Sequence, residues 1–220
     1  MIHEQLVVGP LQCNCHHLAD AGTREAVVID PGDRTGEILA AVGRRGLRVV
    51  AILHTHAHFD HIGATRELRE ATGAPVLLHA ADRELYEALP EQLEAFGRMF
   101  GLPPVAARPP VPVDRFVEDG DVVRFGREEL RVLHTPGHTP GSVCYAGPGC
   151  VFTGDTLFRR SIGRTDLPGG DFELEARSIL RRLYTLDPGT VVYPGHGPRT
   201  RIGEERAENP FVRDGEGEVL

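Results

Sequence analysis

Lysine is absent from this sequence, so all 24 basic residues of the 220-residue chain are arginine. Any chemistry that the protein performs therefore proceeds without lysine. Acidic residues outnumber basic ones, and the formal net charge is -8 at pH 7. The chain thus offers no broad positive surface to a polyanion. We expect neither nucleic acid nor an anionic membrane among its partners.

Cysteine is also scarce, with four residues in the whole chain. They are Cys13, Cys15, Cys144 and Cys150. So few thiols at irregular spacings do not indicate a disulfide framework. The first two lie in the stretch CNCHH, where the adjoining histidines are candidate metal donors. Because the stretch alternates like a strand, the sequence favours buried free thiols on a hairpin over a metal site.

Long apolar runs are missing as well. No segment approaches the ~18 to 20 apolar residues of a membrane span. The opening MIHEQLVVGP lacks the basic and apolar regions of a signal peptide. Hydrophobic residues still make up 40% of the chain, enough to fill a core at this length. These features predict a soluble, cytoplasmic protein that folds as one domain over residues 1–220.

Apolar strands alternate with amphipathic helices along the chain, which is an α/β pattern. The predicted strands cover 25–30, 49–55, 75–79, 121–125, 128–135, 142–147, 150–155 and 191–197. The predicted helices cover 34–46, 61–73, parts of 80–100, and 171–186. We interpret the Pro-rich segment 101–113 as a crossing between two halves of one fold, the alternative being a linker between domains.

The two halves share a short repeat. Residues 53–58 read LHTHAH and residues 133–138 read LHTPGH, each after an apolar strand. A duplicated strand-loop unit would bring both histidine-bearing loops to one edge of paired sheets. A chance match is the alternative.

The densest cluster of histidines is HTHAHFDH, residues 54–61. In an extended segment, side chains two residues apart point the same way, so His56 and His58 can bind one ion. Asp60 and His61 follow where a helix begins, and the change of direction can aim them at a second position. Imidazole and carboxylate donors suit Zn²⁺, Fe or Mn, and the lack of thiolate indicates a catalytic rather than a structural site. A solvated loop with incidental histidines is the alternative.

Three further loops each follow an apolar strand and present one candidate ligand. They are TPGHTPGS with His138, FTGD with Asp155, and YPGHG with His196. Glycine and proline supply the turns that hold such loops. Each residue alone is typical of a turn, but together with HTHAHFDH the four loops predict one metal centre.

These motifs, with SIGRTDLPGGD and IGEERAENPFV, resemble those of metallo-β-lactamase-fold hydrolases, most of all the short bacterial glyoxalase II-like (hydroxyacylglutathione hydrolase-like) proteins. The resemblance covers nearly the whole chain. It implies a four-layer αββα sandwich with two divalent metal ions at one edge, zinc first, with iron or manganese as alternatives. The implied ligands are His56, His58 and His138 for one ion, Asp60, His61 and His196 for the other, and Asp155 as the bridge.

The same resemblance implies hydrolysis of a small-molecule thioester, in particular a glutathione-derived hydroxyacyl thioester. Two cations that share Asp155 and a water would lower the pKa of that water towards about 7 and supply hydroxide at neutral pH. Asp60 would be the catalytic residue as well as a ligand, because it would orient that hydroxide.

Particular residues of this sequence favour or disfavour the activities of other branches of the family. The short interval between Asp155 and His196 leaves no room for the inserted domain of nucleic-acid-processing relatives, and a bridging Asp155 disfavours a β-lactamase. The stretch GRTD at 163–166 is similar to persulfide dioxygenases, which hold one iron on the equivalents of His56, His138 and Asp155. That activity is the main alternative. A lactonase and a non-catalytic metal-binding protein are further alternatives.

Arg164, in SIGRTDLPGGD, is the predicted substrate-binding residue. By resemblance, this segment supplies a cation to glutathione, and arginine can bind a carboxylate through two hydrogen bonds. Longer glyoxalase II enzymes carry a further helical domain with cationic contacts, whereas few residues follow His196 here. Arg164 is therefore the best candidate to bind an anionic substrate, and a solvated surface arginine is the alternative.

The six remaining histidines match no ligand position of the family and are predicted to support the structure. They are His3, His16, His17, His54, His79 and His134. His54 and His134 occupy equivalent positions in the repeat and are predicted to hydrogen-bond loop backbone.

Overall fold

Two mixed β-sheets form the centre of the structure, a computed structural model that describes residues 1–101 and 108–213. The first sheet contains, in spatial order, β1 (Ile2–Val8), β2 (Cys13–Ala19), β3 (Glu25–Ile29), β4 (Arg48–Leu53), β5 (Val76–His79) and β6 (Arg115–Val117). Strands β1 to β3 pair antiparallel, and β3 to β6 pair parallel. The loops after β3, β4 and β5 therefore leave the sheet at the same edge.

The second sheet contains β7 (Val122–Phe125), β8 (Glu128–His134), β9 (Val143–Gly147), β10 (Cys150–Gly154), β13 (Val191–Pro194) and β14 (Thr200–Arg201). Its spatial order is β14-β13-β10-β9-β8-β7. A small hairpin, β11 (Leu157–Phe158) and β12 (Ser161–Ile162), follows β10. Since β9 is antiparallel to β8 and β10, and β13 is parallel to β10, the strands β8, β10 and β13 end at one edge.

Helices lie outside both sheets. They are α1 (Thr35–Arg44), α2 (Phe59–Ile62), α3 (Thr65–Thr72), α4 (Arg83–Glu87), α5 (Leu89–Met99), α6 (Phe172–Ser178) and α7 (Ile202–Glu208). A 3-10 turn, Ala80–Asp82, precedes α4, and a π-helical turn, Ile179–Leu183, continues α6. Within 1–101 and 108–213, no helix combines the length and apolar character needed to cross a membrane.

Three apolar layers separate the sheets and helices. Along β3, Val28 packs outward with Ile38 of α1, whereas Ile29 points inward into the cluster that contains Phe152 of the second sheet. Ile179 belongs to a third cluster, on the outer face of that second sheet. Alternation along the strands thus gives each sheet two apolar faces. The resulting helix-sheet-sheet-helix order confirms the predicted αββα sandwich.

The helix predicted for 61–73 is wrong in one respect, because the structure divides this region into α2 and α3. The break lies at Gly63 and Ala64, which pack against the turn at Pro31 and Gly32. The Ala64 N–H donates to the Pro31 carbonyl instead of to its own helix. A Cβ on Gly63 would lie 2.4 Å from the Gly32 oxygen, so this close approach requires glycine.

The helix predicted for 171–186 begins where expected, as α6. The Asp171 side chain accepts from the Leu174 N–H at its N-terminus. Six elements were not predicted: β1, β6, β11, β12, β14 and α7. They have two to seven residues each, too few to show a period of their own. Residues 102–107 of the Pro-rich segment lie outside the described residues. The crossing at 101–113 and the single domain over 1–220 therefore stay predictions.

Candidate metal centre

The predicted ligands come from four loops at one edge of the paired sheets. These loops follow β4, β8, β10 and β13, which is the order in which the sequence motifs occur. The two repeat loops belong to different sheets, yet His58 Nδ1 lies 2.9 Å from His138 Nε2. The prediction that the histidine-bearing loops meet is confirmed.

Three imidazoles form a group that we call the first triad: His56, His58 and His138. The Nε2 atoms of His56 and His138 are 3.2 Å apart. These two side chains are buried, whereas His58 is half-buried. As the strand alternation predicted, His56 and His58 face the same point, and His138 completes the group from the second sheet.

A second triad consists of Asp60, His61 and His196. His196 Nε2 lies 3.2 Å from His61 Nε2 and 3.2 Å from Asp60 Oδ2, and the Asp60 and His61 atoms are 3.7 Å apart. His58 is still extended, at φ -70° and ψ 146°, and α2 begins at the next residue. This change of backbone direction gives Asp60 and His61 their own position, as the sequence predicted.

Asp155 lies between the two triads. Its Oδ1 is 3.3 Å from His61 Nε2, and its Oδ2 is 3.6 Å from His196 Nε2 and 3.7 Å from His138 Nε2. Oδ1 is buried without a hydrogen-bond partner, an arrangement that costs free energy unless a cation satisfies it. A Cβ on Gly195 would lie 2.2 Å from this oxygen, which explains the glycine in YPGHG.

Hydrogen bonds at the outer ring nitrogens decide which nitrogen faces the centre. Three of the histidines place the outer ring nitrogen against an oxygen that can only accept. The pairs are His61 Nδ1 with Asp30 Oδ2 at 3.0 Å, His138 Nδ1 with the Arg164 carbonyl at 2.7 Å, and His196 Nδ1 with the Leu11 carbonyl at 2.9 Å. The outer nitrogen therefore carries a proton, and in the neutral, metal-binding form of each ring the inner Nε2 presents a lone pair.

Facing lone pairs repel one another, so the arrangement fits a bound cation. A Zn–N bond is about 2.0–2.1 Å, which places two nitrogens of a tetrahedral ion roughly 3.3 Å apart. The spacing between His61 Nε2 and His196 Nε2 is 3.2 Å, and the same spacing separates His56 and His138. Imidazole and carboxylate donors suit zinc, iron and manganese. The side chains therefore support two sites for divalent metals.

The second triad favours the charged form of its imidazoles. Burial acts to lower the pKa of His61 and of His196, but neighbouring acidic groups that include Asp155 outweigh burial and raise both pKa values. Binding of a cation by these two rings would therefore release protons.

The pKa values of the first triad agree with bound metal. Burial, assisted by the neighbouring His138, lowers the pKa of His58 to about 4. Burial also lowers the pKa of His56. Both imidazoles are thus neutral at pH 7, the form that binds metal ions. Burial acts to raise the pKa of Asp155, but the adjacent His61 outweighs burial and the pKa is lowered, so this carboxylate is ionised.

Asp30 supports the second triad and was missed in the sequence analysis. Besides its contact with His61, it accepts hydrogen bonds from the Thr55 N–H at 2.8 Å and the Thr55 hydroxyl at 2.6 Å. It directly follows β3, at the edge where the ligand loops gather. An acidic residue that ends a strand beside the ligand strand was a visible signal.

Two further supporting residues gave no signal in the sequence. Asn14, on β2, donates to the carbonyls of Pro194 and Gly197, both at 2.9 Å, and so holds the loop that carries His196. Glu175, on α6, accepts from the His138 N–H at 2.9 Å. Both side chains are buried, and both act on loops distant in sequence.

Arg164 lies beside the centre, but its side chain points to a different partner. Its carbonyl accepts from His138, while its guanidinium makes two hydrogen bonds to the carboxylate of Asp166, at 2.7 and 2.8 Å. The Arg164 side chain is 61% exposed. An anionic substrate would therefore have to replace Asp166, and the substrate-binding role stays a prediction.

The remaining histidines and the cysteines lie outside the metal-binding groups found among the described residues. His134 donates to the Pro140 carbonyl at 2.9 Å, which confirms the predicted contact with loop backbone. The Nε2 of His54 pairs with the Thr65 hydroxyl at 3.1 Å, and the backbone of His61 makes a further hydrogen bond with this imidazole. That hydroxyl belongs to α3, whose first residue reaches the end of β4. All four cysteines are buried free thiols, as the sequence predicted for Cys13 and Cys15.

If the two triads and Asp155 act together, the metal-loaded protein should hold close to two ions per chain. The expected value follows from seven donors divided between two groups with one carboxylate between them. Elemental analysis after saturation with zinc, and separately with iron, measures it. A ceiling of one ion with both metals would contradict this expectation.

Comparison with known proteins agrees with the geometry. Hydroxyacylglutathione hydrolase GloC of Haemophilus influenzae is 36% identical over 213 residues, covering 95% of this chain and 97% of that protein. The structure of BLEG-1 B3 metallo-beta-lactamase has a TM-score of 0.85 and 40% identity, covering 96% and 99%. The di-iron-bound form of TTHA1623 has a TM-score of 0.82 and 44% identity, covering 95% and 100%.

ETHE1 from Myxococcus xanthus is also similar, with a TM-score of 0.78, 34% identity, and coverage of 96% of this chain and 84% of that one. These similar proteins carry different names, so overall likeness does not select a substrate. The model of the Metallo-beta-lactamase superfamily matches residues 8–196, an interval that includes all seven predicted ligands. This protein therefore belongs to the metallo-beta-lactamase superfamily.

Proposed function

We propose that the protein is a binuclear metallo-hydrolase that cleaves a small-molecule thioester, with a glutathione-derived hydroxyacyl thioester as the first candidate. The first triad would hold one ion, the second triad would hold the other, and Asp155 would lie between them as a shared ligand. Zinc is the first candidate metal, and iron or manganese are alternatives. A cytoplasmic location and the absence of a nucleic-acid partner remain part of the proposal.

One observation carries this proposal: the second triad is complete. Asp60, His61 and His196 lie within 3.2 to 3.7 Å of one another, and the outer nitrogens of both histidines contact oxygens that can only accept. A centre with a single ion on His56, His138 and Asp155 would leave these three donors without a function. Their convergence favours chemistry that uses two ions.

Bound divalent cations lower the pKa of water to about 7 and stabilise negative charge on a carbonyl oxygen. The residues determine where that chemistry occurs. The buried Oδ1 of Asp155 faces the space shared by the triads, and Asp60 Oδ2 lies at its other side, beside His196. Asp60 is positioned to accept a proton from water and to orient the oxygen that attacks.

The reaction balances without a redox partner. The water oxygen forms a bond to the thioester carbonyl carbon, the carbon–sulfur bond breaks, and a proton from the water goes to the departing sulfur. A carboxylic acid and a thiol are released. The similarity to GloC supports this substrate class.

Persulfide dioxygenation is the second candidate. The similarity to ETHE1 favours it, together with GRTD at 163–166. Such a reaction would use one iron on His56, His138 and Asp155, and would consume oxygen. The similarity to BLEG-1 adds a β-lactam as a third substrate to be tested.

Parallel assays distinguish the three activities. Protein loaded with zinc, and separately with iron, is given S-D-lactoylglutathione, glutathione persulfide or a chromogenic β-lactam. We expect thiol release from the thioester to be the fastest reaction. Oxygen uptake with the persulfide, without thioester cleavage, would overturn the proposal in favour of the dioxygenase.

Two substitutions separate metal binding from catalysis. Asp155→Ala should lose metal as well as turnover, because it removes the carboxylate between the triads. Asp60→Asn should retain some metal but lower kcat by roughly 100-fold or more, since the amide cannot accept the proton. Asp187→Asn, an exposed control, should change neither. A near-normal kcat for either site variant would rule out the mechanism.

Arg164 can be tested with a pair of opposite changes. Arg164→Ala should raise KM for a glutathione thioester roughly tenfold or more, the effect of losing one charged hydrogen bond. The backbone carbonyl that accepts from His138 remains, so the metal content should not change. Asp166→Asn frees the guanidinium of its partner and should lower KM. An unchanged KM in both variants would exclude Arg164 as the substrate anchor.

A further inference from the structure

Asp82 is a buried carboxylate that contacts none of the predicted ligands' donor atoms. It ends the 3-10 turn after β5 and is 0% exposed. Its Oδ2 accepts from the Ala57 N–H at 3.0 Å and from the Thr139 hydroxyl at 2.8 Å. Its Oδ1 accepts from the Gly141 N–H at 2.6 Å. Nothing in the sequence analysis singled this residue out.

The three partners of Asp82 belong to the two loops of the internal repeat. Ala57 lies between the two histidines of the first loop, and Thr139 directly follows His138 in the other. One loop follows a strand of the first sheet and one follows a strand of the second. Asp82 therefore joins the two loops across the boundary between the sheets, at the positions that carry the first triad.

The second triad depends on other contacts. Asp30 accepts from His61, and Asn14 holds the loop of His196 by its backbone. None of the hydrogen bonds that the structure assigns to Asp82 involves the loop of His196 or the side chains of Asp60 and His61. The ring of His61 and the loop of His196 thus have supports that do not include Asp82.

An amide cannot replace this carboxylate without loss. Two of the partners of Asp82 are backbone N–H groups that can only donate, and they bind its two different oxygens. In Asp82→Asn, the NH₂ group would face one of these donors in a buried site, and that backbone N–H would lose its acceptor. The loops would have to separate at that contact.

We propose that Asp82 is a positioning residue that sets the distance between His138 and the pair His56 and His58, and thereby controls the affinity of the first triad for its ion. This role rests on the proposed two-metal centre. Asp30 and Asn14 still hold His61 and the loop of His196 when Asp82 is changed. The affinities for the two ions should therefore change by different amounts.

Zinc titration of the metal-free full-length protein, in competition with a chromophoric chelator, gives the affinity of each ion. Asp82→Asn should lower the affinity for one of the two ions by roughly 10- to 100-fold, the usual effect of losing a residue that orients metal ligands. Asp114→Asn is the matched control. Its carboxylate also accepts a backbone N–H, that of Val76, but at the opposite end of β5, so both affinities should stay unchanged.

Two single-site backgrounds identify the ion that is affected. His58→Ala removes a donor of the first triad, and His196→Ala removes one of the second. In the His196→Ala protein, Asp82→Asn should lower the affinity for the remaining ion. In the His58→Ala protein, Asp82→Asn should leave the affinity for the remaining ion unchanged. If Asp82 were merely structural, its substitution would lower the affinity for the remaining ion equally in both backgrounds. That result would overturn the proposal.

Gly141→Ala approaches the same contact from the other side. A Cβ there would lie 2.6 Å from Asp82, so it should push the loop of His138 away from the carboxylate. The affinity for the same ion should then fall. This variant decides the matter if Asp82→Asn does not fold. Full affinity for both ions in Gly141→Ala and in any folded Asp82→Asn protein would exclude the role. Wild-type protein that binds fewer than two ions would instead overturn the metal centre itself.

Discussion

Imidazole nitrogens that face one another at about 3 Å are the constraint on which this structure depends. Such a cluster is repulsive on its own and becomes favourable when divalent cations lie between the donors. The buried, unpartnered oxygen of Asp155 adds the same requirement. The surrounding protein must therefore hold the seven donors together in advance, because loops that could relax would separate.

The fold meets this requirement by strand direction and by buried polar contacts. Strands β8, β10 and β13 end at one edge of the second sheet, and the αββα packing brings that edge to the end of β4 in the first sheet. Asp30, Asn14, Asp82 and Glu175 then bond to ring nitrogens or to loop backbone. Each of these side chains is buried, and each would be costly to leave without its partners. Two glycines, Gly195 and Gly63, allow the backbone to approach closely where a Cβ would clash.

The sequence predicted the ligand loops and the αββα layers more fully than the buried side chains that hold those loops in place. Strand alternation was sufficient to pair His56 with His58, and a loop at a strand end marked His138 as a candidate ligand, whereas the family resemblance implied that the three share one ion. The helix break at Gly63 was not visible, since its cause is a turn thirty residues earlier in the chain. Asp82 and Glu175 were not predicted for the same reason: their partners are distant in sequence, and an isolated acidic residue on a helix or turn has no distinctive pattern. Arg164 was correctly placed beside the centre, but its pairing with Asp166, two residues away, was overlooked.

The central claim is that two ions occupy neighbouring positions, one in each triad, with Asp155 between them. Anomalous X-ray scattering from crystals of the metal-loaded protein, recorded at the absorption edge of the bound metal, tests it most directly. The account predicts two anomalous peaks, one among His56, His58 and His138 and one among Asp60, His61 and His196. A single peak at full metal loading, with Asp60 and His196 free of metal contact, would contradict it.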